Sequence, residues 1–180
     1  MKYGELNLGQ IEAIVNKLGG MDGVHRFLAG ESVVAAVKKG LLKFLGTVNI
    51  PAATEKFIAR NKFVVGTSKN APVKISYMGD NFRNWFLGKV EEPMTTETML
   101  RYAELTKSSV DGPILTELGN TAETTLFAIY ALMERQSNGK RGILLTNGFA
   151  NIFYVRDVNG GLRAVFVFWF GDGWFVGAYS

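Results

Sequence analysis

The side chains best equipped for chemistry in this 180-residue chain are few and scattered. A single histidine, His25, stands between Val24 and Arg26, and there is no cysteine. One imidazole without thiolates cannot build the usual zinc or multi-histidine sites, and disulfides are excluded with them. A Ser-His-Asp relay would have to run through His25, and no Gly-x-Ser-x-Gly elbow accompanies it. Paired-carboxylate catalysis needs two acids brought together by the fold. Asp80, Asp157 and Asp172 lie at loop ends, but Asp80 reads as a helix cap and the other two as turn residues. No Gly-x-Gly-x-x-Gly or Walker pattern occurs, so no phosphate loop is expected. The residues therefore call for no metal and no cofactor, and a carboxylate-based hydrolase is only a distant reading.

A different chemistry, nucleic-acid recognition, is suggested by KLGGMDGVHRFLAGE at residues 17–31. With the preceding GQIEAIVN it resembles the helix-turn-helix of Cro-like repressors over residues 10–31. A helix ending Lys-Leu-Gly precedes a second helix ending in an apolar-x-Gly-Glu pattern. Arg26 and His25 would reach bases, while Lys17, Lys38 and Lys39 would meet phosphates. The turn is one residue shorter than that pattern allows, and Asp22 would repel phosphate at the start of the second helix. The charge distribution favours this end: residues 1–62 hold nine basic and five acidic side chains, and the rest hold eleven of each, so the net +4 is all N-terminal. A basic segment on a neutral body marks an anion-facing part or a solvated helix surface.

The elements that would position these residues follow from periodicity. Leu8, Ile11, Ile14, Val15 and Leu18 share a helical face, with Asn7 at the cap and Gly19-Gly20 as the stop. Asp22 can cap a short second helix with Val24, Phe27 and Leu28 on one side. A third, basic amphipathic helix is expected over about 32–46, carrying Lys38, Lys39 and Lys43. Pro51 lies near the start of a further short helix. KFVVGTS and PVKISYMG read as strands, DNFRNWFLGKV and TTETMLRYAELTK (95–107) as helices, and SSVDGPILTELG as a turn with a short helical piece. TAETTLFAIYALMERQ is a helix. GILLTN, ANIFYVRD, LRAVFVFWF and WFVGAYS then form an antiparallel meander with turns at 157–161 and 171–173.

The expected fold is α+β, with a basic helical subdomain over 1–62 and an α+β unit over 63–180 that ends in the meander. With 47% hydrophobic and 20% charged residues the chain can bury a full core. No stretch approaches the roughly 18 apolar residues that read as a membrane helix, and the N-terminus lacks a signal-peptide pattern. A soluble cytoplasmic protein with no membrane partner is expected.

Within the meander, Leu162, Ala164, Phe166, Phe168 and Phe170 point one way, and Val165, Val167 and Trp169 the other. A strand apolar on both faces is either covered twice or offers one face to a partner. Phe166, Phe168, Phe170, Trp174 and Tyr179 are the candidate ligand or interface residues. A terminal strand this aromatic could also be an edge that pairs with another copy of the chain.

Three segments, NLGQIEAIVNKLGG with HRFLAGE, VKISYMGDNFRNWFLGK, and GILLTNGFANIFYVRDVNGGLRAV, resemble a group of small bacterial proteins from candidate phyla. The resemblance covers most of the chain and implies bacterial origin, but no activity or site residue. Relatives in that group run on past GWFVGAYS, so the chain is expected to end early by comparison. The reading taken from the sequence is a non-enzymatic binding or protein-interaction module, with Cro-like DNA binding as the alternative.

Overall fold

The computed structural model describes residues 6–32 and 40–179. They separate into two units, one reaching residue 32 and the other starting at Gly40. The first holds helices α1 (Leu8–Lys17) and α2 (Gly20–Leu28). Asn7 starts α1 through a reciprocal capping box: its side chain accepts from the Gln10 amide, and the Gln10 side chain accepts from the Asn7 amide. Gly23 is buried where α2 passes the end of α1, and a Cβ there would stand 1.5 Å from the Leu18 carbonyl oxygen. Asp22 sits in the first turn of α2 without making a capping hydrogen bond, and Gly19 takes the cap position. The α1 helix buries none of its residues.

The second unit runs β1 (Leu42–Ile50), β2 (Phe57–Ile58), α3 (Ala59–Lys62), β3 (Ile75–Met78), α4 (Asp80–Phe86), β4 (Val90–Glu91), β5 (Thr98–Leu105), α5 (Asp111–Leu118), α6 (Leu126–Arg135), β6 (Asn151–Arg156), β7 (Leu162–Phe170) and β8 (Gly173–Tyr179). The principal sheet has the order β3-β8-β7-β6. Its β6, β7 and β8 form the antiparallel meander, and β3 adds to β8 in parallel. One face carries Val165, Val167, Trp174 and Val176 into the main core, where Phe82 and Phe86 of α4 and Leu126, Ile129 and Met133 of α6 lie. The fold is α+β, as the residue patterns predict.

Several local expectations are corrected. The third helix over 32–46 falls partly outside the described residues (33–39), and from Leu42 the chain is strand. There β1 pairs antiparallel with β5, from Leu42 opposite Leu105 to Ile50 opposite Thr98. The amides of Leu41 and Leu42 donate to the Glu117 carboxylate at the start of that ladder. The helix expected over 95–107 is likewise β5. In both segments the apolar positions fit either period, and the long-range pairing decides. The ladder also moves the unit boundary from residue 62 back to 40, because residues 40–62 belong with the body. No helix starts at Pro51, whose missing N–H ends β1.

GILLTN is not a strand, because side chains take the place of a neighbouring strand. The Gln136 side chain donates to the carbonyls of Lys140 and Leu144 and accepts from the Leu144 amide. Asn151 does the same for both backbone groups of Leu145. KFVVGTS contributes only a bridge between Gly66 and Ile75. The terminal strand β8 lies between β3 and β7, so it is not the open edge expected for pairing with another copy.

Candidate functional site

Strand parity sorts the aromatic residues of the meander onto opposite faces. Across β7 and β8, Phe168 stands opposite Phe175, Phe166 opposite Gly177, and Ala164 opposite Tyr179. Across β7 and β6, Ile152 faces Phe166 and Tyr154 faces Ala164. Tyr77 of β3 pairs with Phe175. All these residues occupy the face turned away from the main core, which is called the outer face below.

One end of the outer face is sealed. There α5 brings Ile114 against Tyr154 and Ala164, with Leu115, Leu118, Leu42 and Leu162 around them. The Tyr154 hydroxyl donates to Asp111 at 2.8 Å, which ties the first turn of α5 to β6. Burial first, and then the bond to Asp111, pushes the Tyr154 hydroxyl well above the usual tyrosine range.

The remainder is open and aromatic. Tyr179 and Phe166 lie 4.5 Å apart at 25°, Phe166 and Phe168 6.2 Å at 15°, Phe168 and Phe175 4.9 Å at 23°, and Phe175 and Tyr77 5.3 Å at 33°. Phe170 adds its ring edge-on to Phe175 at 6.0 Å. Nearly parallel rings at 4.5–4.9 Å must overlap face to face, since side-by-side rings at that distance would collide. Two pairs of the row, Tyr179–Phe166 and Phe168–Phe175, are therefore stacked face to face. A Cβ at Gly177 would stand 2.2 Å from Cζ of Phe166, so the missing side chain lets the Phe166 ring lie over β8. Phe170, Tyr179, Tyr77 and Ile152 remain 66, 56, 51 and 41% exposed. Beside the Tyr179 end lies a shallow hollow of about 280 Å³ between the start of α4 (Asp80, Asn81) and Phe166.

Of the five predicted interface residues, Phe166, Phe168, Phe170 and Tyr179 come together on this face. Trp174 does not: it is fully buried on the opposite face, edge-on to Trp169 at 5.4 Å. Alternation within WFVGAYS puts Phe175, Gly177 and Tyr179 on one side and Trp174 on the other, so Phe175 is the residue that belonged in the group. Tyr77 had no local signal, since its place follows from pairing with a strand nearly a hundred residues away.

The predicted nucleic-acid residues lie on the hairpin. Lys17 is in the last turn of α1, and His25 and Arg26 are in the last turn of α2, all exposed. Cations there complement the helix dipole. Lys38 and Lys39 lie outside the described residues. Among the loop-end acids, Asp80 is exposed in the first turn of α4 and makes no capping bond, and Asp172 is exposed in the β7–β8 turn. Asp157 is buried: it accepts from the amides of Asn159 and Gly161 and from Arg163, whose guanidinium covers Trp85. Burial alone would raise this carboxyl, but those donors and the Arg163 charge hold it below the usual carboxylate range. It anchors the turn into β7 and has no acid partner among the described residues.

A second hollow, of about 440 Å³, lies between the 61–73 segment and α6. At its wall the Lys62 ammonium already sits over the Tyr130 ring at 5.7 Å. Among the described residues no group of three His, Asp or Glu side chains could hold a metal ion, and no helix is long and apolar enough to cross a membrane. Compared with known proteins, the chain matches no family model, no curated protein and no solved structure.

Proposed function

We propose that this chain is a non-enzymatic binding protein that recognises a protein surface through the aromatic half of its outer sheet face. The observation that carries this reading is the row Tyr179-Phe166-Phe168-Phe175-Tyr77, left uncovered by the fold that seals the rest of that face. The largest contiguous apolar patch on a soluble protein, typically about 300–600 Å², is often its functional surface. A protein partner is favoured over stacked nucleic-acid bases because no Lys or Arg stands among the positions of the row to meet phosphates, and interface cores are rich in aromatic residues and poor in charge.

The Cro-like alternative draws on the exposure of Lys17, His25 and Arg26. Against it, the part of a recognition helix that enters the groove is its N-terminal end, and that end of α2 reads Gly20, Met21, Asp22, Gly23. It offers no base reader and one repelling carboxylate.

Hydroxyl-radical footprinting tests the main reading. Phe170, Tyr179 and Tyr77 should oxidise readily in dilute purified protein and several-fold less in cells that express it. The reading fails if the three residues oxidise equally in both settings.

A further inference from the structure

The partner of this face can be named from its area and chemistry; the inference rests on the reading above. We infer that the aromatic face packs against the same face of a second copy, giving a two-fold dimer in which two sheets meet as a sandwich. Taking about 150–250 Å² for each aromatic side chain, the exposures of Phe170, Tyr179, Tyr77 and Ile152, with the three half-buried rings between them, leave roughly 500 Å² of apolar surface open. A standard protein interface removes about 800 Å² from each partner. Roughly 60% of that area is apolar, again about 500 Å². The open row is thus the right size for the apolar centre of one such interface.

The chemistry points the same way. None of the outer-face positions of the row (Ile152, Phe166, Phe168, Phe170, Phe175, Tyr77 and Tyr179) is charged. Depletion of charge with enrichment in aromatic residues is the composition of an interface core, most marked between identical subunits. A two-fold contact sets each residue near its own copy or near its mirror in the row, so an uncharged face is self-complementary without further design. Nucleic acid would require Lys or Arg among these positions to meet phosphates, and there is none. Phe168 is the middle ring, so a two-fold axis near it lays one whole row along the other.

The sheet edges favour face-to-face contact over strand pairing. The inner strand β8 has neighbours on both sides, β6 is bridged at Tyr154 by Glu123, and β3 is bridged at Ile75 by Gly66. Two twisted sheets laid face to face pack about 10 Å apart with interdigitating side chains, which is how two such aromatic rows would fill each other.

Sedimentation of the full chain over a wide concentration series tests this. The mass should rise from monomer to dimer with concentration, and Phe170→Asp should raise the dissociation constant at least about 10-fold while leaving the thermal midpoint within a degree or two. Phe170 is chosen because its exposure lets the substitution fold. Leu28→Asp, on the exposed end of α2, should leave the dimer intact. A monomer at every concentration overturns the inference, and so does a dimer that Leu28→Asp abolishes and Phe170→Asp spares. If the purified chain stays monomeric while Phe170 and Tyr179 are protected in cells, the binding reading stands and the second-copy inference alone falls. If the residues are exposed in both settings, both fall.

Discussion

Ala164 and Phe166 are neighbours on the same face of β7, yet one is sealed and the other is left open. Ala164 stands opposite Tyr154, and the pair is roofed by Ile114 of α5. Phe166 stands opposite Gly177, and its ring is covered by other rings of its own face. The difference lies in side-chain height. At the sealed end a small residue lets the helix come down on the sheet, and the one polar group, the Tyr154 hydroxyl, has an acceptor on that helix. At the open end Phe166 fills the β7 position that Ala164 leaves small at the sealed one.

The inner face of the same strands sets the scale against which both halves are judged. Trp174 is fully buried there among α4, α6 and the sheet. Trp174→Ala should cost about 3–5 kcal/mol through lost burial and the cavity left behind. That is much of the roughly 5–15 kcal/mol that holds a domain together, so urea unfolding should show a large loss of stability or no folded baseline. The indole Nε1–H is buried without an acceptor among the described residues, so Trp174→Phe forfeits volume but no hydrogen bond. It should recover well over half of the loss. A Phe variant as unstable as the Ala variant would show that the N–H matters, and the inner face would then be less purely apolar than the packing implies.

The meander was legible in the sequence because local rules specify it. Alternation and the turn residues at 157–161 and 171–173 mark all three strands, and the same alternation places Phe166, Phe168 and Phe170 together. Grouping Trp174 with Tyr179 broke that rule, since the two are separated by an odd number of positions. What could not be read locally was decided by distant partners. The β1 and β5 strands exist because each supplies the other's ladder, and their isolated patterns suit a helix as well. GILLTN has the composition of a strand but is held by the side chains of Gln136 and Asn151. Tyr77 joins the candidate face only because β3 lies beside β8 in parallel, and parallel neighbours leave no hairpin signal.

The sealed end can be loosened without touching the open one. Tyr154→Phe removes the hydroxyl bond to Asp111 and should cost about 1–2 kcal/mol, with α5 exchanging its amides faster while β8 keeps its protection. The pH dependence tests the setting of the hydroxyl as a whole, burial first and the bond to Asp111 second. In the folded protein this hydroxyl stays protonated above the ordinary tyrosine value of 10.0, whereas in the unfolded chain it ionises there. Its stabilising contribution is therefore complete below pH 10 and is lost as pH rises through the raised folded value. Wild-type protein should lose stability along that alkaline limb more steeply than Tyr154→Phe. Parallel limbs would mean that the hydroxyl is neither buried nor held by α5, and the contrast between the two ends of the face would lose its basis.

The open end answers to a smaller change. Gly177→Ala puts a methyl group where the end of the Phe166 ring lies. The Phe166 ring is only half-buried and its described neighbours on this face are other rings, so if it swings outward the cost should stay near 0.5–1 kcal/mol, about that of one lost aromatic contact. The same methyl against a roofed ring would force an overpacking cost of about 1–3 kcal/mol. Stability is therefore the weaker readout, and the ring positions are the stronger one. In the wild type Phe166 and Tyr179 shield each other at 4.5 Å, which should shift their ring protons upfield in the NMR spectrum; in Gly177→Ala those shifts should relax while the resonances of Val165 and Val167 stay in place. If the inner-face resonances move as well, the ring was not free to leave. The outer row would then be part of the packed core and not a surface laid over it.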